Sequence, residues 1–219
     1  MKPIEILYED DFSIIVNKPA GLAVQGGKGV KSSLDKILQE IRSPPPLLVH
    51  RLDKDTSGVL LAAKGHENAA RFSRLLGTER KTVKQYIAVC GGCPEKKKGT
   101  ITADLLIRGS LKKSETRYRV IKEGELPLPQ PQEYCVLELE LRTGRMHQIR
   151  RHLAMTGTPI LGDDKYGDFS LNKKLRKAGL KRLLLHASRL IINDELNMNM
   201  LNMDIHAPLP EYFARFVDG

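Results

Sequence analysis

The sequence is poor in aromatic residues: tryptophan is absent, and aromatic residues make up 5% of the 219 positions. Sequence-tolerant binding of single-stranded nucleic acid depends on bases stacking on aromatic side chains, so a broad stacking platform is excluded. No apolar run is long enough to cross a bilayer, and the N-terminus lacks the apolar segment of a signal peptide. These absences predict a cytoplasmic protein without a membrane partner.

Cysteine is also scarce, with three residues in the chain. An odd number of cysteines argues against a disulfide framework. Cys90 and Cys93 form one Cys-x-x-Cys pair, but a structural zinc site needs four ligands, and no further ligands occur at suitable spacing. No Gly-Lys-Ser/Thr follows the glycine-rich stretch 25–29, which excludes a P-loop. The sequence therefore predicts no metal and no cofactor.

Positive charge, by contrast, is abundant: 36 lysines and arginines face 26 acids, for a net charge of +10. Such an excess favours a polyanionic partner. One cluster places six cations and no acid within residues 172–182, and a second lies within residues 142–151. Without a stacking platform, we expect contacts with the phosphates of a folded nucleic acid. The residues expected to make them are Arg145, Lys173, Lys174, Arg176 and Lys177.

Most of the predicted secondary structure consists of short strands. Residues 136–142 alternate between leucine or valine and charged residues, as a half-buried strand does. Helical spacing occurs at residues 34–41, 67–76 and 146–155. Strands dominate without strict alternation with helices, so we expect an α/β fold of the α+β type, with a mixed, mostly antiparallel sheet and flanking helices. No composition break marks a boundary, which predicts a single domain over residues 1–219.

The most informative segment is the nonapeptide from His50 to Gly58, which combines acids, cations and hydroxyls ahead of an apolar strand. A stable core does not require such a cluster, whereas catalysis often does. Asp53 and Asp55 stand two residues apart. On extended backbone they would share a face, and in a tight turn they would diverge. The sequence leaves both arrangements open.

One interpretation of the nonapeptide is a phosphatase. Asp53-Lys54-Asp55-Thr56 is similar to the Asp-x-Asp-x-Thr motif of haloacid-dehalogenase-type phosphatases, in which the first aspartate attacks phosphorus beside Mg²⁺. That motif normally ends an apolar strand near the N-terminus, whereas here His50 and Arg51 come first. Because these cations oppose a divalent metal, a Mg²⁺-dependent phosphatase is a minor alternative.

The whole nonapeptide, followed by its apolar strand, resembles the catalytic motif of RluA/RluC-type pseudouridine synthases. Further segments match that family in the same order, from about residue 4 to about residue 212. They are the opening strands through Gly21, a tyrosine motif around Tyr86, an arginine motif around Arg150 and a late strand around His186. The resemblance implies the pseudouridine synthase fold with a central active-site cleft. It also implies an enzyme that isomerises uridine in RNA.

By this resemblance Asp53 is the catalytic carboxylate, and it must be ionised to act as a nucleophile. Arg150 matches the family's active-site arginine, whose charge would keep the pKa of Asp53 low. Tyr86 matches the tyrosine that packs against the target base. Attack on the ribose C1′ and attack on the base C6 both use the same carboxylate, so the sequence does not decide between them.

Further roles follow from the same resemblance. A base inside folded RNA must flip out to be reached, and Arg51 matches the residue that fills the gap it leaves. Leu185 and Ala187 are expected to form the apolar wall of the base pocket. Asp55 is expected to hold the catalytic loop, and His50 to shape it.

The resemblance also bears on the substrate. Many relatives carry an N-terminal S4-type RNA-binding domain. Because the opening strands here begin at Ile4, no S4 domain is expected. The catalytic domain is then expected to dock RNA itself. Residues 25–29 and 163–168 resemble those of members that modify large-subunit ribosomal RNA. We therefore expect a monomer acting on ribosomal RNA, with transfer RNA as an alternative substrate. A non-catalytic RNA-binding or ribosome-assembly factor is the alternative from another functional class.

Overall fold

A computed structural model describes residues 3–27, 29–78, 81–126, 128–194 and 201–217. Lys28, in the glycine-rich stretch, lies outside them. The described residues form ten strands and five α-helices. In chain order these are β1 (Glu5–Glu9), β2 (Ser13–Lys18), α1 (Leu34–Ile41), β3 (Leu47–Leu48), β4 (Ser57–Ala63), α2 (His66–Leu76), β5 (Thr82–Gly91), β6 (Lys98–Ile107), β7 (Ser110–Glu125), β8 (Glu133–Leu141), α3 (Gln148–Met155), α4 (Phe169–Lys177), β9 (Leu185–Asp194), β10 (Leu201–His206) and α5 (Ala214–Val217).

The chain divides into two compact units, one of residues 1–84 with 187–208 and the other of residues 85–186 with 209–219. In the first unit the strands follow the order β1, β2, β4, β9, with β3 beside β4 and β10 beside β9. Every residue of β4 is buried, which explains its nearly continuous apolar sequence. Helix α2 adds Phe72 and Leu75 to a core that includes Leu61 and Ile192. The expectation of a single catalytic domain stays a prediction.

In the second unit the strands follow the order β5, β8, β7, β6, and every neighbouring pair whose register is described runs antiparallel. The alternation predicted for β8 is confirmed, because Leu137 and Leu139 are buried while Glu138 and Glu140 are partly exposed. Together with the few helices, this pairing confirms the predicted α+β class with mostly antiparallel strands. No helix among the described residues is long and apolar enough to span a membrane.

Two elements of the second unit differ from the prediction. Strand β7 has 16 residues, whereas the sequence predicted short strands. Helix α4 lies where the sequence showed only a dense run of cations. Its start is capped by Asp168, whose Oδ1 accepts the N–H of Leu171 at 2.9 Å, and its buried face carries Leu171 and Leu175. These leucines are four residues apart, as on one helix face, but a two-residue signal is too weak to predict a helix.

Candidate active site

The nonapeptide forms a tight turn immediately before β4. The Thr56 N–H donates to the Asp53 carbonyl at 3.2 Å, so Lys54 and Asp55 occupy the central positions of a four-residue turn. Asp53 and Asp55 therefore do not follow each other along extended backbone, which settles the question that the sequence left open. Asp53 is half-buried.

Lys18, at the end of β2, holds this turn from within the first unit. Its side chain is completely buried, at 0% exposed. The ammonium Nζ donates to the carbonyls of Pro19, Leu22 and Lys54 at 3.0, 2.9 and 3.0 Å. The Lys54 carbonyl also accepts the N–H of Gly21 at 2.9 Å. The central peptide of the turn is thus fixed by two donors, one of them charged.

The charge of Lys18 faces both carboxylates of the turn. Burial lowers the pKa of Lys18 to about 8, against the opposing effect of the Asp55 and Asp53 carboxylates, which raise it. The amine is therefore still mostly protonated at pH 7. Lys18 therefore places a buried positive charge at the turn that presents Asp53.

The start of β4 lies tightly against β9. Gly58 has a φ of +112°, and a Cβ atom at this position would come within 2.1 Å of the Ala187 carbonyl oxygen. Only glycine accommodates both the left-handed backbone and this close approach. Ala187, which was expected to line the base pocket, is buried, and its backbone lies directly against Gly58.

His50 shapes the loop, as predicted from the sequence, through a hydrogen bond to the backbone of β4. Its Nε2 accepts the N–H of Leu61 at 2.9 Å, so this nitrogen must be unprotonated. Burial, and then the charge of Lys84, lowers the pKa of His50 to about 3. The imidazole is therefore neutral throughout the physiological range and serves as an acceptor.

We expect His50 to make the stability of the protein depend on pH. Between pH 6.5 and about 3 the unfolded chain protonates this histidine while the folded chain does not, so stability falls as the pH falls through this window. His50→Gln keeps an acceptor but does not titrate. Urea unfolding at pH 6.5 and pH 5 should show a shallower loss for the variant, by up to about 1.4 kcal/mol per pH unit. The exposed His66→Gln serves as the control, and equal slopes for His50→Gln and the wild type would contradict the expectation.

The second unit holds the two other residues assigned to catalysis. Tyr86 lies in β5, opposite Leu139 of β8, and is buried. Arg150 lies in the first turn of α3 and is 6% exposed. Helix α3 begins directly after His147, which has a φ of +53° and whose Nδ1 lies 3.0 Å from the Tyr166 hydroxyl.

Arg150 forms a bidentate ion pair with Asp163. The guanidinium Nε and Nη2 donate to the two carboxylate oxygens of Asp163, each at 2.8 Å. The guanidinium also lies over the ring of Tyr166, 5.3 Å from its centroid. A buried arginine requires such a counter-charge, so this pair fixes the position of the Arg150 guanidinium.

Asp163 is itself held by a compact turn. Its Oδ1 accepts the N–H groups of Lys165 and Tyr166 at 2.9 and 3.0 Å. Burial alone would raise the pKa of Asp163, but these bonds and the bond from Arg150 outweigh it and hold the pKa below its usual value. The side-chain amide of Asn172, in α4, binds the Asp163 carbonyl at 2.8 Å. The second unit thus builds a buried, charged anchor for Arg150.

The basic cluster at residues 142–152 divides into two parts. Arg150 and His152 are buried, whereas Arg145 is exposed and Arg151 is half-buried. His152 lies 2.8 Å from the Ser114 hydroxyl, so it belongs to the packing of α3 rather than to a basic surface.

The structure places the predicted site residues in both units. Arg51 is exposed, directly before buried Leu52, and Leu185 is buried at the start of β9. The exposed face of α4 carries all four of its predicted RNA-binding cations. The first unit holds Arg51, Asp53 and Ala187, and the second holds Tyr86, Arg145, Arg150, Lys173, Lys174, Arg176, Lys177 and Leu185.

Lys18 and Asp163 were not among the site residues predicted from the sequence. Lys18 ends an apolar strand just before Pro19-Ala20-Gly21, and a lysine at such a position is a signal that could have been followed. Asp163 stands in the Gly-Asp-Asp-Lys-Tyr-Gly stretch, where paired acids after a predicted basic helix could have suggested an ion pair. Among the described residues, no cluster of three or more acids, histidines or cysteines is arranged to hold a metal ion.

Comparison with known proteins places these features in a family. The family model described as RNA pseudouridylate synthase matches residues 12–155. A protein of Rickettsia felis named ribosomal large subunit pseudouridine synthase C is 36% identical over 97% of this chain and 70% of its own length. A protein of the same name from Vibrio parahaemolyticus is 34% identical over 98% of this chain and 68% of its own length.

Solved structures give the same result. The human RNA pseudouridylate synthase domain containing 4 matches with a TM-score of 0.76 and 26% identity, over 98% of this chain and 92% of that one. The human RNA pseudouridylate synthase domain containing 1 matches with a TM-score of 0.74 and 27% identity, over 94% and 84% of the two chains. With the nonapeptide turn and the anchored arginine in place, this chain belongs to the RNA pseudouridylate synthase family.

Proposed function

We propose that this chain converts uridine to pseudouridine in large-subunit ribosomal RNA, with Asp53 as the catalytic carboxylate. The observation that carries the proposal is the turn that presents Asp53, whose central peptide is fixed by the buried Lys18 ammonium at 3.0 Å. The names of the relatives from Rickettsia felis and Vibrio parahaemolyticus support the RNA substrate. We further propose a cytoplasmic monomer.

The reaction needs only groups that this chain supplies. The bond between uracil N1 and ribose C1′ breaks, the base turns, and a bond forms between C5 and C1′. The C5 proton leaves and N1 takes up a proton, so the composition is unchanged. Nothing is oxidised and no group is gained, so a carboxylate nucleophile and proton transfers suffice. Attack of Asp53 on C1′ or on C6 leads to the same product and releases the same proton.

The other site residues act on the position of the base. Flipping a nucleotide out of folded RNA costs roughly a few kcal/mol, and the exposed Arg51 would fill the gap beside the Asp53 turn. Tyr86 would pack against the uracil ring. The Arg150 guanidinium, held at 2.8 Å by Asp163, would present a fixed positive charge to the reacting groups. A charge that is already in place stabilises the transition state more strongly, because the protein does not have to reorganise during the reaction.

Tritium release distinguishes the proposed substrate from its alternatives. RNA labelled with tritium at uridine C5 loses the label when the base is re-attached through C5. We expect release from large-subunit ribosomal RNA transcripts and none above background from transfer RNA, without added metal. Release from transfer RNA alone would show that transfer RNA is the substrate. Release from neither RNA, in a protein that binds both, would favour a binding or assembly factor.

The basic face of α4 is expected to contribute to RNA binding. Neutralising Lys173, Lys174, Arg176 and Lys177 together to glutamine removes up to four phosphate contacts. The logarithmic salt dependence of the RNA affinity should then become shallower by roughly 3, as measured by titration at several salt concentrations. A control in which lysine and arginine are exchanged at the same four positions keeps the charge and should keep the slope. An unchanged slope in the glutamine variant would remove α4 from the RNA interface.

A further inference from the structure

A long hairpin of the second unit carries a basic tip that the proposed chemistry does not use. Strands β6 and β7 pair without a break from Lys98 opposite Arg119 to Ile107 opposite Ser110. Only Arg108 and Gly109 connect them, with φ values of +49° and +80°. Two central residues with positive φ define the type I′ turn, in which asparagine and glycine are strongly preferred.

Arg108 is an unusual choice for the first position of this turn. A left-handed backbone is unfavourable for a residue with a long side chain, whereas asparagine tolerates it. Arg108 is exposed, so packing does not explain its presence. A strained residue at an exposed tip points to a function for its side chain.

The residues around Arg108 are also cationic. Between Asp104 and Glu115 the hairpin contains three cations and no acid, and all three are exposed. Two further arginines reach the tip from the segment that leads into α3 and from α3 itself. Arg145 donates to the Lys113 carbonyl and Arg151 to the Leu106 carbonyl, each at 3.3 Å. We call the surface formed by these five cations the basic tip: Arg108, Lys112, Lys113, Arg145 and Arg151.

Charge pairing distinguishes the basic tip from the rest of the same sheet. Within the described residues, none of its five cations has a carboxylate within ion-pairing distance. Three arginines nearer the base of the hairpin and in its neighbourhood do have such partners. These pairs are Arg117 with Glu115, Arg119 with Glu138 and Arg142 with Glu140, at 3.3, 3.0 and 2.6 Å. Asp104 lies opposite Lys113 in the hairpin but forms no ion pair with it, so the tip keeps a surplus of positive charge that is available to an external anion.

The basic tip is held rigidly by contacts between α3 and β7. The Gln148 side-chain amide donates to the Glu115 carbonyl at 2.9 Å. The two ring nitrogens of buried His152 lie 2.8 and 3.0 Å from the hydroxyls of Ser114 and Thr116. A surface that is already ordered loses less entropy on binding, so the five cations are presented in a fixed arrangement.

We infer that the basic tip docks the phosphate backbone of the substrate RNA, as a second contact surface in addition to α4. The inference rests on the proposed function, because that function supplies the RNA. Phosphates fit better than bases, since the tip has no aromatic ring on which a base could stack. Its exposed apolar residues are two leucines paired across the hairpin, Leu106 and Leu111, which are 58% and 66% exposed. They lie among the cations, where they can contact sugars between phosphate contacts.

The test uses a variant that is expected to fold at least as well as the wild type. Arg108→Asn combined with Lys112→Gln and Lys113→Gln removes three charges and places a preferred residue in the turn. RNA affinity is measured at several salt concentrations with a large-subunit ribosomal RNA transcript. We expect about a tenfold weaker affinity at moderate salt and a salt slope that is shallower by roughly 2. Arg108→Lys keeps both the charge and the strained backbone, and should bind like the wild type.

A charge-matched control removes three exposed cations of the first unit, by Lys31→Gln, Lys36→Gln and Arg74→Gln. If the tip variant has the same RNA affinity and the same salt slope as this control, the inference is overturned. A tip that binds a protein partner in place of RNA would give that result. Tritium release by the wild type is recorded in the same preparations. A wild type that releases no tritium contradicts the proposed function, whereas an active wild type beside an unaffected tip variant contradicts only the docking surface.

Discussion

Asp53→Asn is expected to abolish tritium release from uridine-labelled RNA, with a fall in rate on the order of 10⁴-fold or more. Asparagine has the shape of aspartate, but it cannot be ionised and is a poor nucleophile. The measurement is single-turnover release with the protein in excess over RNA, so that weaker binding does not limit the rate. Circular dichroism and RNA titration confirm that the variant folds and binds.

Asp55→Asn is the matched control, because it makes the same change two residues away in the same turn. Both carboxylates face the Lys18 ammonium, so loss of either changes the local charge in a similar way. Asp55 is expected to hold the loop. Its loss should lower the rate by no more than about 100-fold, which is the effect of a small misplacement of a reacting group. Full activity of Asp53→Asn, or equal losses in the two variants, would contradict the assignment of Asp53 as the nucleophile.

The second large effect is expected from the buried ion pair of Arg150 and Asp163. Asp163→Asn leaves Arg150, which is 6% exposed, without the carboxylate that binds two of its guanidinium nitrogens. Breaking a buried pair from one side costs about 3–5 kcal/mol, a large part of the roughly 5–15 kcal/mol that stabilises a typical domain. Urea unfolding should show this loss. Asp164→Asn is the control, since Asp164 is 76% exposed and 3.7 Å from Arg150, and an exposed pair contributes about 1 kcal/mol or less.

A double variant separates the stabilising role of this pair from its role in activity. Arg150→Met with Asp163→Asn removes both charges, so that no buried charge is left without its partner, and keeps a side-chain oxygen for the N–H groups of Lys165 and Tyr166. We expect most of the stability to return while tritium release remains lost, because Arg150 supplies a charge to the reacting groups. A stable double variant that releases tritium at the wild-type rate would show that Arg150 has only a structural role.

The difference between what could be predicted and what could not is clear in the hairpin and in α4. The β6–β7 connection has Arg108-Gly109 in a turn that usually contains Asn-Gly, so the strongest local hairpin signal was missing. In α4 the buried leucines are four apart among many cations, and the helix depends on the cap from Asp168 and on the packing of Asn172 against the Asp163 turn. Tertiary contacts stabilise both elements more than their local sequence does.

By itself, the sequence determined the family resemblance, the reaction class and the identity of the candidate nucleophile. The reaction class and the nucleophile follow from the resemblance of several motifs to those of the family, above all of the segment from His50 to Gly58. Only the tertiary structure decided how the charges are paired. Lys18 binds the turn from 36 residues away, and Asp163 binds Arg150 from 13 residues away. Local sequence at most suggests such pairs, because they form only when folding buries the charged groups side by side, and burial is what makes each of them require a partner.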